Sequence, residues 1–110
     1  MKIQEVPFTT INWDEIPQTI HTGETGFATW QTVETGNIRV RIVEYSPGYL
    51  ADHWCKRGHV IHILTGEMVS ELKDGSISVM KAGMTYMMSD NEVNPHRTLT
   101  EQGITLFIVD

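Results

Sequence analysis

Three residues able to bind a metal, His53, Cys55 and His59, fall within seven positions beside Gly58, and a fourth, His96, returns later in the chain. Imidazole and thiolate side chains suit zinc, iron, copper and nickel, whereas magnesium and calcium sites want oxygen donors. On a β-strand successive side chains alternate faces, so His53 and Cys55 share one face and Trp54 takes the other. Gly58 then allows a turn or bulge that re-aims His59 toward the same point. A single strand histidine is ordinarily a hydrogen-bonded structural residue. It is the spacing of the set that points to a metal centre with His53, Cys55, His59 and His96 as ligands.

Cys55 decides what kind of centre this is. If all four residues bind, the tetrahedral shell is complete, as in structural zinc sites. If the three histidines bind and Cys55 stands off, positions stay open for water, dioxygen or a substrate. The neutral histidines then leave the +2 charge of the ion to favour anionic ligands or a metal hydroxide. As the single cysteine, Cys55 cannot form an intrachain disulfide. It is a ligand, a buried inert thiol or a redox-active group, and Lys56 and Arg57 would favour its thiolate if their charges lie nearby.

Other side chains carry weaker signals. His62 is one step out of phase with Ile61 and Ile63 and should face away from the metal, and His21 reads as structural. Met80, Met84, Met87 and Met88 could line an apolar pocket but are more simply core filler. Arg41, Tyr45 and Tyr86 sit on strands that can face a cavity, with Tyr86 the candidate acid or base. Arg97 should point opposite to His96 and pair with an acidic residue.

The elements that must position these residues read as all β. From Gly23 onward, β-favouring runs recur at intervals of about ten residues, the pattern of a sandwich or barrel. They are Phe27 to Val33, Ile38 to Tyr45, Val60 to Leu64, Met68 to Leu72, Ile77 to Met80, Thr85 to Met88, His96 to Thr100 and Ile104 to Val109. Turn residues separate them, among them Thr35-Gly36-Asn37, Thr65-Gly66, Lys73-Asp74-Gly75 and Ser89-Asp90-Asn91. Residues 1–22 read as an irregular arm in which Asn12 or Asp14 caps a short helical turn that Pro17 ends. The expected organisation is one domain, with arm 1–22 and barrel 23–110.

The chain of 110 residues is long enough to bury a core without disulfides. With 40% hydrophobic and 20% charged residues and a net charge of −6, it offers nucleic acid or an anionic membrane no basic surface, so neither is expected as a partner. The segment Met1 to Thr10 lacks the apolar core of a signal peptide, and no stretch approaches the ~20 apolar residues of a spanning helix. A cytoplasmic location is expected.

The stretch from Pro47 to Glu67 resembles the first signature of the cupin superfamily, a His-x-His pair after a glycine, then a glutamate and a closing glycine. His53 takes the first histidine position, Cys55 the second, His59 the glutamate position and Gly66 the closing glycine. Gly83, the Ser89-Asp90-Asn91 turn and His96 are similar to the second signature, without its proline. More narrowly, Asp52-His53-Trp54-Cys55 with Pro95-His96-Arg97 resembles small single-domain DHCW-motif cupins. The resemblance implies a double-stranded β-helix, or jelly roll, with the ligands facing inward and a homodimeric assembly. By analogy with the three-histidine iron centres of the thiol dioxygenase branch, it also makes oxygen chemistry one expectation.

Two function classes follow. One is a metal-dependent enzyme, such as a dioxygenase or isomerase, acting on a small anionic metabolite. The other is a non-catalytic metal or small-molecule binding or sensor module with a structural zinc-type site. Zinc or iron is the expected metal, with nickel, copper or manganese as other occupants.

Overall fold

The computed structural model describes residues 2–90 and 95–110. Asn91, the last residue of the expected Ser89-Asp90-Asn91 turn, lies outside them. Among the described residues nine strands form: β1 (Gln18–Thr22), β2 (Phe27–Thr35), β3 (Ile38–Tyr45), β4 (Tyr49–Leu50), β5 (His59–Leu72), β6 (Ile77–Lys81), β7 (Thr85–Met88), β8 (His96–Thr100) and β9 (Ile104–Val109). The described residues contain no α-helix, only a single 3-10 turn over Trp13–Glu15 whose first turn is capped by the Asn12 side chain accepting from the Asp14 amide. No helix among them is long and apolar enough to cross a membrane.

Two curled antiparallel sheets share β5. Its first half lies between β9 and β7 in a sheet ordered β1-β2-β3-β9-β5-β7, and its second half lies between β6 and β8, with β4 beyond β8. This all-β arrangement is the expected double-stranded β-helix. Four strands, β3, β7, β8 and β9, match the expected runs residue for residue, because their inward and outward positions alternate cleanly.

Three local expectations fail. Thr65-Gly66 is not a turn: β5 runs through it as one strand of 14 residues, with a bulge between Ile63 and Thr65 where it passes from one sheet to the other. Gly66 makes this passage with φ of +88°, and a Cβ there would meet the Gly103 carbonyl oxygen at 2.4 Å. The arm is not wholly irregular, since Gln18–Thr22 pairs with β2 as an edge strand. Its side chains are nearly all exposed, so no apolar alternation marked it. The segment 51–58 is not a strand but a loop whose Ala51 amide bonds the Thr98 carbonyl and which forms one isolated bridge, Cys55 to His96.

Register stacks the inward side chains in layers. Arg41 on β3, Ile108 on β9, Ile61 on β5 and Tyr86 on β7 form one rung across four strands. The next rung, Val43, Leu106 and Ile63, is fully buried and packs with Met68, Ile104 and Ala28 to close one end of the barrel. Each of these large apolar side chains contributes roughly 1.5–3 kcal/mol by leaving water. On the other side of the first rung lie Arg39, Asp110 and His59, so the barrel grades from an apolar floor to a charged mouth.

Candidate metal centre

Cys55, His59 and His96 each present a donor atom within 4.8 Å of the other two. His59 opens β5 immediately after Gly58, which lies against β7 so closely that a Cβ would meet the Met88 carbonyl oxygen at 2.7 Å. The glycine thus lets the chain turn tightly into the strand with His59 inward, 8% exposed. His96, 4% exposed, opens β8. Its main chain pairs with that of Cys55, the Cys55 amide donating to the His96 carbonyl at 2.7 Å and the His96 amide returning the bond at 3.0 Å.

The two imidazoles meet edge to face, with their Nε2 atoms 2.8 Å apart. At that separation one nitrogen donates a proton to the other. Behind His59, Asp110 Oδ2 stands 3.4 Å from Nδ1. A proton on Nδ1 directed at this carboxylate leaves the Nε2 lone pair facing the centre, the arrangement that orients metal-binding histidines. Two nitrogens on a tetrahedral zinc stand about 3.3 Å apart, given bonds near 2.0–2.1 Å. The pair would therefore open by a few tenths of an ångström and surrender its shared proton bond to hold an ion. The soft thiol and two imidazoles fit a transition metal and not magnesium or calcium.

The structure does not bring His53 into this group. Its side chain, 73% exposed, pairs with Asp52 at 2.6 Å on the rim of the cavity. Strand alternation would have aligned it with Cys55, but the segment is a loop. Trp54 anchors that loop: Lys73 Nζ and the Arg97 guanidinium each sit 4.6 Å from its ring centroid. Arg97 also reaches Glu71 at 3.3 Å, the acidic pairing expected of it. His62 points outward to Thr85 at 2.7 Å, and His21 stacks on Trp30 at 3.9 Å, so both are structural. Met80 is core, while Met84 and Met87 are exposed.

The group lies in the wall of a cavity of about 470 Å³, which Arg41, Tyr45 and Tyr86 also line. Tyr86 Oη is buried near Thr98 without a hydrogen bond of good geometry among the described residues. Burial pushes its pKa well above the usual phenol range, so the Tyr86 hydroxyl stays protonated and can donate a hydrogen bond into the cavity. The same cause acts on Tyr45, whose ring stacks on Tyr49 at 4.1 Å.

The sequence reading missed Asp110 and Arg39. Arg39 grips Asp110 with two bonds, Nε to Oδ1 at 2.8 Å and Nη2 to Oδ2 at 3.0 Å, and Arg41 Nη2 adds a third at 2.9 Å. Arg57 Nε lies 3.7 Å away. Burial alone would raise the Asp110 pKa, but the hydrogen bonds from His59 and Arg39 and the charges of both arginines override it. The carboxyl is held well below the usual range. One signal was available: Arg39 and Arg41 stand two apart on a strand and so share a face, which leaves two inward cations in need of an anion.

No family description matches the chain, and no curated protein matches it in sequence. Solved structures do. An RmlC-like cupin from Shewanella frigidimarina superposes with a TM-score of 0.71 at 15% identity, covering 96% of this chain and 92% of that one. A predicted oxalate decarboxylase from Thermotoga maritima gives 0.74 at 15% identity, covering 92% and 96%. The enzyme HppE, solved with Fe(II) and an alternative substrate, gives 0.74 at 11% identity, covering 94% of this chain and 60% of that one. At these identities the likeness shows the fold, and the chain has the cupin barrel that its motif resemblance implied.

Proposed function

We propose that this protein is a cupin-fold metal protein in which Cys55, His59 and His96 hold a transition-metal ion, zinc or iron, facing a cavity that admits a small anionic metabolite. The observation that carries the reading is the convergence of three donors within 4.8 Å inside a cavity of about 470 Å³. Three protein donors leave a coordination position for a ligand, as in catalytic sites, where a bound metal supplies Lewis acidity. Asp110 holds His59 in orientation, and the Tyr86 hydroxyl offers a hydrogen bond from the cavity wall. Among the structural neighbours HppE was solved with Fe(II), which supports the reading at the level of fold. The alternative is a binding or sensor module using the same centre without turnover.

Element analysis of protein purified without added metal is the test. A stoichiometric transition metal, lost to a chelator together with part of the thermal stability, is the expected result. A chain that neither carries nor takes up zinc or iron would overturn the proposal. A bound metal with no exchangeable water would favour the closed, structural reading.

A further inference from the structure

The barrel cavity is charged against the rest of the molecule. The chain carries 14 acidic and 8 basic residues, yet five of the basic ones, Arg39, Arg41, Lys56, Arg57 and Arg97, line the cavity, and Asp110 is the acidic residue among its described lining. Arg97 is taken up by Glu71, and it is Arg39, Arg41 and Arg57 that converge on Asp110. Its two oxygens are occupied by the fork of Arg39, and the single contacts of Arg41 and Arg57 fall on the same carboxylate. Three guanidiniums share this one carboxylate in a partly desolvated place, where like charges repel more strongly than in water, and Glu34 on the neighbouring strand acts on Arg39 and is not among the main influences on Arg41.

We propose that the cavity binds a small organic monocarboxylate, its carboxylate held by Arg41 and Arg57 and its apolar body resting on Ile61 and Ile108. This deepens the metal-cavity reading above, on which it rests, by naming the class of molecule that enters. Arg41 is 5% exposed, lies with its guanidinium 4.5 Å from the Trp30 ring centroid, and spends Nη2 on Asp110, while its buried Nε has no partner. A buried donor of this kind gains most from an incoming anion. Arg57 stands at the mouth on the 51–58 loop, its side chain half exposed, free to turn from Asp110 toward a ligand. The floor of the same rung is two isoleucines, closed on one side by Tyr86 and near Tyr45 and Tyr49. A charged head beside an apolar floor describes an organic acid. A bare phosphate would leave the floor uncovered, and a volume of about 470 Å³ suits a small metabolite.

Titration calorimetry with acetate, butyrate and benzoate, each against its own neutral amide, and with inorganic phosphate, tests the assignment on the protein as purified and after chelation. The acids are expected to bind more tightly as the apolar body grows, each at least about 10-fold tighter than its amide, since a charge-assisted contact contributes roughly that factor or more. Arg57→Gln, a change at a half-exposed position, should weaken the acids about 10-fold and leave the amides unchanged. Arg41→Lys keeps the charge without the planar fork and should weaken them as well, with near-UV circular dichroism confirming an intact barrel. Amides binding as well as acids, phosphate binding tighter than every carboxylate, or acids indifferent to Arg57→Gln would each overturn the proposal. Acids that bind a chain incapable of holding metal would remove the metal reading alone. A metal-loaded chain that ignores the acids would remove this proposal alone.

Discussion

Cys55 and His96 hold each other by two reciprocal main-chain hydrogen bonds, at 2.7 and 3.0 Å, though they are far apart in sequence. In such an antiparallel pair both side chains project to the same side of the sheet, with Cβ atoms about 5.5 Å apart at most. The bridge therefore fixes the thiol beside the imidazole before any ion arrives. That preorganisation reduces the ordering cost of binding.

The ligands should separate from the rim residue in substitution. His59→Ala or His96→Ala should abolish stoichiometric metal binding, and Cys55→Ser should retain metal at an affinity lowered roughly 10–100-fold for zinc or copper, because a soft donor is replaced by a poor one. His53→Ala should change affinity by less than about 3-fold, since an exposed side chain paired with Asp52 is absent from the cluster. Competition titrations against a chromophoric chelator read all four. Loss of metal in His53→Ala would restore the four-ligand set expected from the spacing.

Metal should also change the tautomer of His96. With the His59 Nδ1 proton directed at Asp110, the 2.8 Å contact requires His96 Nε2 to carry a proton toward His59 Nε2 in the metal-free chain. Binding an ion through both Nε2 atoms moves the His96 proton to Nδ1. Long-range proton–nitrogen correlation spectra of the imidazoles should show this exchange on adding zinc, and an unchanged His96 pattern would exclude Nε2 ligation.

Asp110→Asn should be strongly destabilising at neutral pH, by about 3–5 kcal/mol, because it leaves buried guanidiniums without their counter-charge. The acid behaviour separates charge from packing. The folded pKa of Asp110 is depressed, so its stabilisation is fully present above the ordinary carboxyl value near ~4 and is lost as pH falls toward the depressed folded value. The wild-type melting temperature should therefore decline below about pH 4, whereas Asp110→Asn should start lower and lack that part of the decline. Parallel pH curves for the two proteins would refute the assignment.

What the sequence made legible were features written locally. The alternation of Ile38 to Tyr45 and Ile104 to Val109 marks one buried face, and the outward phase of His62 follows from Ile61 and Ile63. What it hid depended on partners. Gln18–Thr22 is a strand because β2 offers it hydrogen bonds, not because its side chains alternate. Thr65-Gly66 has turn chemistry, yet the backbone uses the glycine to cross from sheet to sheet. His53 is two residues from Cys55 but off the cluster, since the alternation argument needs a strand and 51–58 is a loop. Asp110 acquires its role from register with Arg39 and from a histidine 51 residues away, neither visible in its neighbours.

The position of β9 bears on how the chain is made. It lies between β3 and β5, so the sheet that carries Arg39, Arg41 and His59 has a gap at its centre until Ile104–Val109 is available. During vectorial synthesis the earlier strands can pair locally, as β2 does with β3 and β5 with β6, but they cannot enclose the cavity. The cavity then closes only once Ile104–Val109 has emerged, and the same stretch of chain brings Asp110, the carboxylate that collects the arginines. Nascent chains halted before residue 104 should accordingly remain open to protease and bind neither metal nor acid.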